Sequence, residues 1–169
     1  MNRAGCGNFL LVIIPLLWLA NGQAATKQTI GWLEYAHIGE ANMRLEAKID
    51  TGADTTSIKA KILKKFSVDG QAWIRFRLMD DHWHTAVLER KIERYVRIKR
   101  KMAPSIRRPV IRLGICIGNI YRDVEVNLSD RKNFKYQLLI GRNYLHDVYL
   151  VDAAQRHAVQ PICPGIKGD

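Results

Sequence analysis

Asp50-Thr51-Gly52-Ala53-Asp54-Thr55 groups two carboxylates and two hydroxyls around one glycine. Asp50 follows a run in which Met43, Leu45, Ala47 and Ile49 alternate with Arg44, Glu46 and Lys48. A period of two is a strand with one buried face, so the strand delivers Asp50 to the mouth of a sharp turn. A carboxylate held there can work as a general acid or base. Gly52 permits backbone angles that other residues resist, and the Thr51 hydroxyl can tie the loop to another copy of itself. Alone, Asp-Thr-Gly is also a common turn tripeptide without chemistry. Its meaning changes with Leu138-Leu139-Ile140-Gly141-Arg142-Asn143-Tyr144-Leu145, a later apolar run that again stops at a glycine.

Other chemistry-bearing patterns are weaker. His82-Trp83-His84 puts two imidazoles on one side of a strand, where Asp80 or Asp81 could add an oxygen, but a solvated hairpin tip explains them equally. There is no Gly-rich loop ending in Gly-Lys-Ser/Thr, no His-Glu-x-x-His and no Gly-x-Ser-x-Gly, so no metal or cofactor is expected. Cys116 and Cys163 could pair in an oxidising compartment, or one could be a buried thiol and the other free.

The elements that must position these groups are mostly strands. Ile74, Phe76 and Leu78 alternate with Arg75 and Arg77 after Asp69-Gly70, and a polar turn at Asp80-Asp81 leads into Trp83 to Leu88, which predicts a hairpin. Ile111, Leu113, Ile115 and Ile117 run into Gly118-Asn119, and Val124, Val126 and Leu128 follow, which predicts a second. Tyr136 to Ile140 reads as a strand buried on both faces. Only Ser57 to Phe66 and Arg142 to Asp147 have helical periodicity. Short strands at this spacing predict one all-β domain, a closed or partly closed barrel.

The 169 residues carry 27 Lys+Arg against 16 Asp+Glu, a net charge of +11, with 47% hydrophobic residues. That excludes a disordered tail or a low-complexity chain. Phe9 to Ala20 is continuously apolar, too short to cross a bilayer as a helix, and follows a basic start at Arg3. Residues 1–25 therefore read as a secretory signal cleaved after Ala24 or Ala25, with an uncleaved membrane anchor as the alternative. The expected location is the periplasm. The domain spans 26–169 and includes a basic insertion at about 90–108, read as a long excursion between the hairpins. That insertion holds nine Lys+Arg around Tyr95 and one acid, Glu93. It supports an alternative function, a non-catalytic module for anionic envelope components or acidic peptides. Export argues against nucleic acid as a partner.

Ile49-Asp50-Thr51-Gly52-Ala53-Asp54-Thr55 and Leu139-Ile140-Gly141-Arg142-Asn143 together resemble the retropepsin-like aspartic proteases. The chain looks closest to a bacterial branch often labelled ATP-dependent zinc proteases, through Arg108-Pro109-Val110-Ile111, Leu128-Ser129-Asp130-Arg131 and Val151-Asp152 as well. The resemblance covers Ile30 to about Val159. It implies a single acid-protease lobe that homodimerises, because the chain holds one Asp-Thr-Gly and about half the length two lobes would need. Each subunit would supply Asp50 to a dyad hydrolysing peptide bonds. Thr51, Gly52, Ala53, Asp54, Gly141, Arg142 and Asn143 would support the loop, with Asp54 and Arg142 as an ion pair. The hairpin from Trp73 to Leu88 would be a flap, giving Trp73, Arg75, Trp83 and His84 as substrate contacts, or the 90–108 segment would cover the cleft instead. The partner is a peptide or protein substrate.

Overall fold

The computed structural model of the protein describes residues 26–100, 103–130 and 135–165. The apolar run Phe9–Ala20, the expected cleavage point and Arg131 lie outside the described residues. No helix among those described is long and apolar enough to cross a membrane.

Alternation of apolar and polar residues produces strands throughout. β1 (Gln28–Ile38) turns at Gly39–Ala41, where Asn42 takes a left-handed conformation, and returns as β2 (Met43–Ile49) antiparallel to it. β3 (Thr56–Lys59) leaves the Asp50 turn. β8 (Ala103–Ile117) and β9 (Ile120–Ser129) form a hairpin closed by Gly118-Asn119, with Gly118 at a φ of 55° that suits glycine. β10 (Leu138–Ile140) runs parallel to β2 and antiparallel to β3, β3 pairs with β9, and β11 (Tyr149–Arg156) lies parallel to β1. β7 (Arg94–Arg100) ends the sheet against β8. The sheet order is β11-β1-β2-β10-β3-β9-β8-β7, and His37 and Ile38 of β1 also pair with Cys116 and Ile115 of β8. A second sheet contains β4 (Lys61–Val68), β5 (Gln71–Met79) and β6 (Thr85–Lys91). One short helix, α1 (Arg142–Leu145), follows β10.

Two expectations are corrected. Ser57–Phe66 is not helical. Its buried residues are Ile58 and Ala60, in phase with buried Thr56, which is the period of a strand; Ile62 and Phe66 belong to the next strand, β4. Pairing of β3 with β10 on one edge and β9 on the other supplies the backbone hydrogen bonds a helix would otherwise make. The 90–108 segment is likewise no loose excursion. Arg94 opposes Val110 and Ile98 opposes Ile106, so much of it is a two-stranded ribbon extending the β8–β9 hairpin.

Inside, Ile30, Ile38, Ile58, Ile111, Leu113, Ile115, Ile117, Leu128 and Ile140 are fully buried, each stabilising by about 1.5–3 kcal/mol. Two devices fasten the C-terminal segment. Cys116 and Cys163 form a disulfide with Cα atoms 6.2 Å apart, closing a separation of 47 residues. In the chain-entropy account a loop of that length contributes roughly 4 kcal/mol. The buried carboxylate of Glu34 accepts hydrogen bonds from the backbone of Gly31 (2.6 Å), Ala158 (3.0 Å) and Val159 (3.2 Å).

The stacked Tyr144 and Tyr149 rings sit beneath the β8–β9 turn. Tyr144 Oη accepts from Ile117 N (3.1 Å) and donates to the Ile120 carbonyl (2.8 Å), while Tyr149 Oη donates to the Ile117 carbonyl (2.7 Å). Burial pushes both hydroxyls up from the ordinary value of 10.0, Tyr149 to about 12 and Tyr144 further. Because the folded state holds these protons more tightly than the unfolded chain, the stability they contribute is fully present below pH 10 and is lost as pH rises through about 12. Unfolding free energies from urea titrations between pH about 9 and about 11.5 should fall by up to about 1.4 kcal/mol per pH unit for each tyrosine, and Tyr149→Phe should remove one share.

Candidate active site

β2 ends at Ile49, which opposes Ile140 of β10, and Asp50 N donates to the Ile140 carbonyl at 2.9 Å. The chain then turns sharply, with Ala53 N donating to the Asp50 carbonyl (3.2 Å). Gly52 N donates to Asp50 Oδ1 at 3.0 Å, so the turn itself orients the carboxylate. A Cβ at Gly52 would lie 3.2 Å from that same oxygen, and any side chain would crowd it. Asp50 is half-buried, whereas Thr51 and Gly52 face solvent. This is a carboxylate presented at a surface, with open space in front of its turn.

The second motif braces the first from behind. Gly141 is buried so closely against the loop that a Cβ there would lie 2.8 Å from Thr55 C, 2.9 Å from Thr56 N and 3.0 Å from Ala53 O, so glycine alone fits. The first N–H groups of α1, which have no partner within a helix, bond to the loop: Arg142 N to the Ala53 carbonyl (2.8 Å) and Asn143 N to the Asp54 carbonyl (3.1 Å). Arg142 also uses its side chain, donating from Nη1 to the Thr51 carbonyl at 2.7 Å and from Nη2 to the Asp54 carboxylate. Asn143 Oδ1 accepts from Thr56 N and Thr56 Oγ1, both at 2.9 Å, and Nδ2 donates to the Glu125 carbonyl at 2.8 Å.

Two participants were not singled out from sequence. Thr56 is fully buried and links both motifs, its hydroxyl donating to Asn143 and accepting from Gly141 N at 3.1 Å. A second threonine just after the turn motif, at a buried strand position, was the available signal. Glu125 carries Asn143 on its carbonyl and Arg94 on its carboxylate through three contacts of 3.1, 3.0 and 2.6 Å. That guanidinium holds the Glu125 carboxyl below the usual range, and Glu125 in turn raises Arg94.

Trp73, Arg75, Trp83 and His84 make their contacts within the second sheet and at its tip. Half-buried Trp73 stacks on Phe66 at 6.5 Å, and Arg75 is paired across the sheet with Glu89. Trp83 is 79% exposed at the tip of the hairpin, with a φ of 68°. Asp80 organises that tip. Burial would raise its carboxyl, but hydrogen bonds from His84 N (2.8 Å), the His84 ring (2.9 Å) and His82 N (2.9 Å) prevail and lower it. The tip shares a cleft of about 630 Å³ with Asn42, Met43, Arg44 and Glu46, along the first half of β2. Among the described residues no three His, Cys, Asp or Glu side chains are grouped to hold a metal.

The family model described as RimB-like, retropepsin-like aspartic endopeptidase RimB, matches residues 29–161. That description rests on aspartic chemistry, and it corrects the zinc-protease label given to the similar bacterial branch. A protein of Shewanella pealeana named probable alpha-L-glutamate ligase is 30% identical over 128 residues, which is 74% of this chain and 27% of the relative. A protein of the same name from Desulfotalea psychrophila is 29% identical over 141 residues, 81% of this chain and 30% of the relative. The chain thus spans less than a third of these relatives. The crystal structure of Lpg0085 from Legionella pneumophila, a protein of unknown function, aligns with a TM-score of 0.70 at 30% identity, covering 80% of this chain and all of that one.

Proposed function

This chain belongs to the RimB-like family of retropepsin-like aspartic endopeptidases, and from that premise we propose that it is a peptide hydrolase whose active unit is a homodimer. The observation that carries the reading is the Asp50 carboxylate, oriented by Gly52 N–H at an exposed turn that the Gly141–Asn143 segment holds rigid. Amide hydrolysis needs a base for the water and an acid for the carbonyl, and one carboxylate cannot be both at once. A two-fold axis through the Asp50 turn supplies the second from an identical copy. Two carboxylates that close share one proton, because both cannot be ionised together.

The chemistry then follows from the pair. The ionised Asp50 takes a proton from water as the water oxygen attacks the carbonyl carbon, and the protonated Asp50 donates to the carbonyl oxygen. Collapse of the resulting gem-diol breaks the C–N bond as the amide nitrogen takes a proton, leaving a new carboxyl group and a new amine. Asp54–Arg142 and Asn143–Thr56 keep the loop in register while charge moves. Pairing of β1 with β8 would add to the fixed base beneath the loop.

Two further parts of the proposal concern setting and substrate. A structural disulfide persists in oxidising compartments, which together with the apolar leader supports export to the periplasm. The net charge of +11, and relatives named for joining glutamate, support acidic, glutamate-rich peptides as substrates. The test is digestion of a peptide mixture by the purified protein, with new termini read by mass spectrometry. Cleavage should concentrate in acidic peptides; binding of such peptides without any new termini would contradict hydrolysis and favour the non-catalytic module.

A further inference from the structure

Five arginines, Arg75, Arg90, Arg94, Arg112 and Arg142, each lie against a carboxylate. Arg97 and Arg107 do not. They face each other directly across the β7–β8 ribbon, an arrangement in which like charges destabilise the pair. On the same face, two residues from Arg97, is Tyr95, 37% exposed. The Arg107 guanidinium sits 4.8 Å over its ring and Lys65 Nζ, from β4, lies 5.2 Å from the ring centroid. Among the described residues none of these three cations has a carboxylate within ion-pair distance, so the cluster has no neutralising charge of its own.

We propose that Lys65 and Arg107, held on Tyr95, together with Arg97 facing Arg107, form an exosite that takes the carboxylate side chains of an extended acidic peptide. The assignment rests on the reading of the protein as a hydrolase of acidic peptides and adds where such a peptide is recognised. Three observations converge on it. The facing arginines are costly when empty and become favourable once a carboxylate lies between them, since guanidinium forks bind carboxylates bidentately. Lys65 and Arg107 are held against the Tyr95 ring, which limits the freedom lost on binding. Finally, β4 ends the three-stranded sheet and β7 ends the eight-stranded one, so an extended chain also meets unpaired strand edges beside the cluster.

The test uses the full chain carrying Asp50→Asn, so that peptide is bound and not consumed. A fluorescein-labelled oligo-glutamate peptide and its oligo-glutamine counterpart are titrated by anisotropy. Arg97→Gln/Arg107→Gln should weaken oligo-glutamate binding about tenfold or more and flatten its salt dependence, with oligo-glutamine unaffected. Its unfolding temperature without peptide should hold or rise, since repulsion is relieved, and Arg97→Lys/Arg107→Lys should recover part of the affinity. Unchanged affinity in the Gln variant, equal losses for both peptides, or displacement by inorganic phosphate at matched ionic strength would each overturn the exosite. Tight oligo-glutamate binding that depends on Arg97 and Arg107, in a wild-type protein that cuts nothing, would sustain the exosite and sink the hydrolase reading alone.

Discussion

Asp50→Asn is expected to lower kcat for peptide hydrolysis by about 10²- to 10⁴-fold, the range removed with a positioned acid–base group. The substitution is nearly isosteric, and its side-chain oxygen can still accept from Gly52 N as Oδ1 does now. Loop geometry and unfolding temperature should therefore change little, and KM should stay close to wild type. What disappears is the capacity to take a proton from water and return it to the leaving amine. Steady-state kinetics with thermal melts on the same preparations check this. A variant that melts normally but retains more than a tenth of wild-type kcat would mean that Asp50 is not the proton-transfer group.

Asn143→Ala should be the most damaging single substitution for stability near the site. Asn143 satisfies Thr56 N, the Thr56 hydroxyl and the Glu125 carbonyl, and Thr56 is fully buried. Truncation leaves buried polar atoms without partners at about 1–3 kcal/mol each, partly relieved if water enters, so a net loss of about 3 kcal/mol is expected. The urea midpoint should fall with an unchanged m-value. Activity should fall further than the folded fraction does, because the Thr56 hydroxyl that Asn143 holds also accepts from Gly141 N and so braces the Asp50 turn. Asn143→Asp is the discriminating companion. It keeps the acceptor for Thr56 but loses the donor to Glu125, and should recover part of the stability.

Local pattern revealed what was locally determined. The alternation before Asp50, the Gly118-Asn119 turn and the β5–β6 hairpin all appear in the fold because a half-buried strand writes its own period into the sequence. Ser57–Phe66 misled because two short strands meeting at Ala60 happen to space Ile58, Ile62 and Phe66 four apart, which is also a helical interval. The basic ribbon was hidden for a different reason. Its strands expose much of their length, so charge, not alternation, dominates their composition, and the pairing of Arg94 with Val110 links residues that no short window sees together. Placement of the 82–84 tip at the start of β2 depends on how the second sheet packs through Ile74, Phe76 and Leu78 onto the common core, a tertiary outcome without a local signature. The residues of the Asp50 and Gly141 loops were legible through family resemblance; the bridging role of Thr56 was visible only in three dimensions.

Mixed subunits give the most direct measurement of whether two chains build one site. Wild-type and Asp50→Asn proteins are combined at fixed total concentration, allowed to exchange subunits, and assayed across the full range of mixing ratios. If each site needs an intact Asp50 from both copies, specific activity follows the square of the wild-type fraction and an equal mixture retains about one quarter of full activity. A linear decline, with an equal mixture retaining about one half, would mean that each chain works alone, and the shared-proton account of this protein would be wrong.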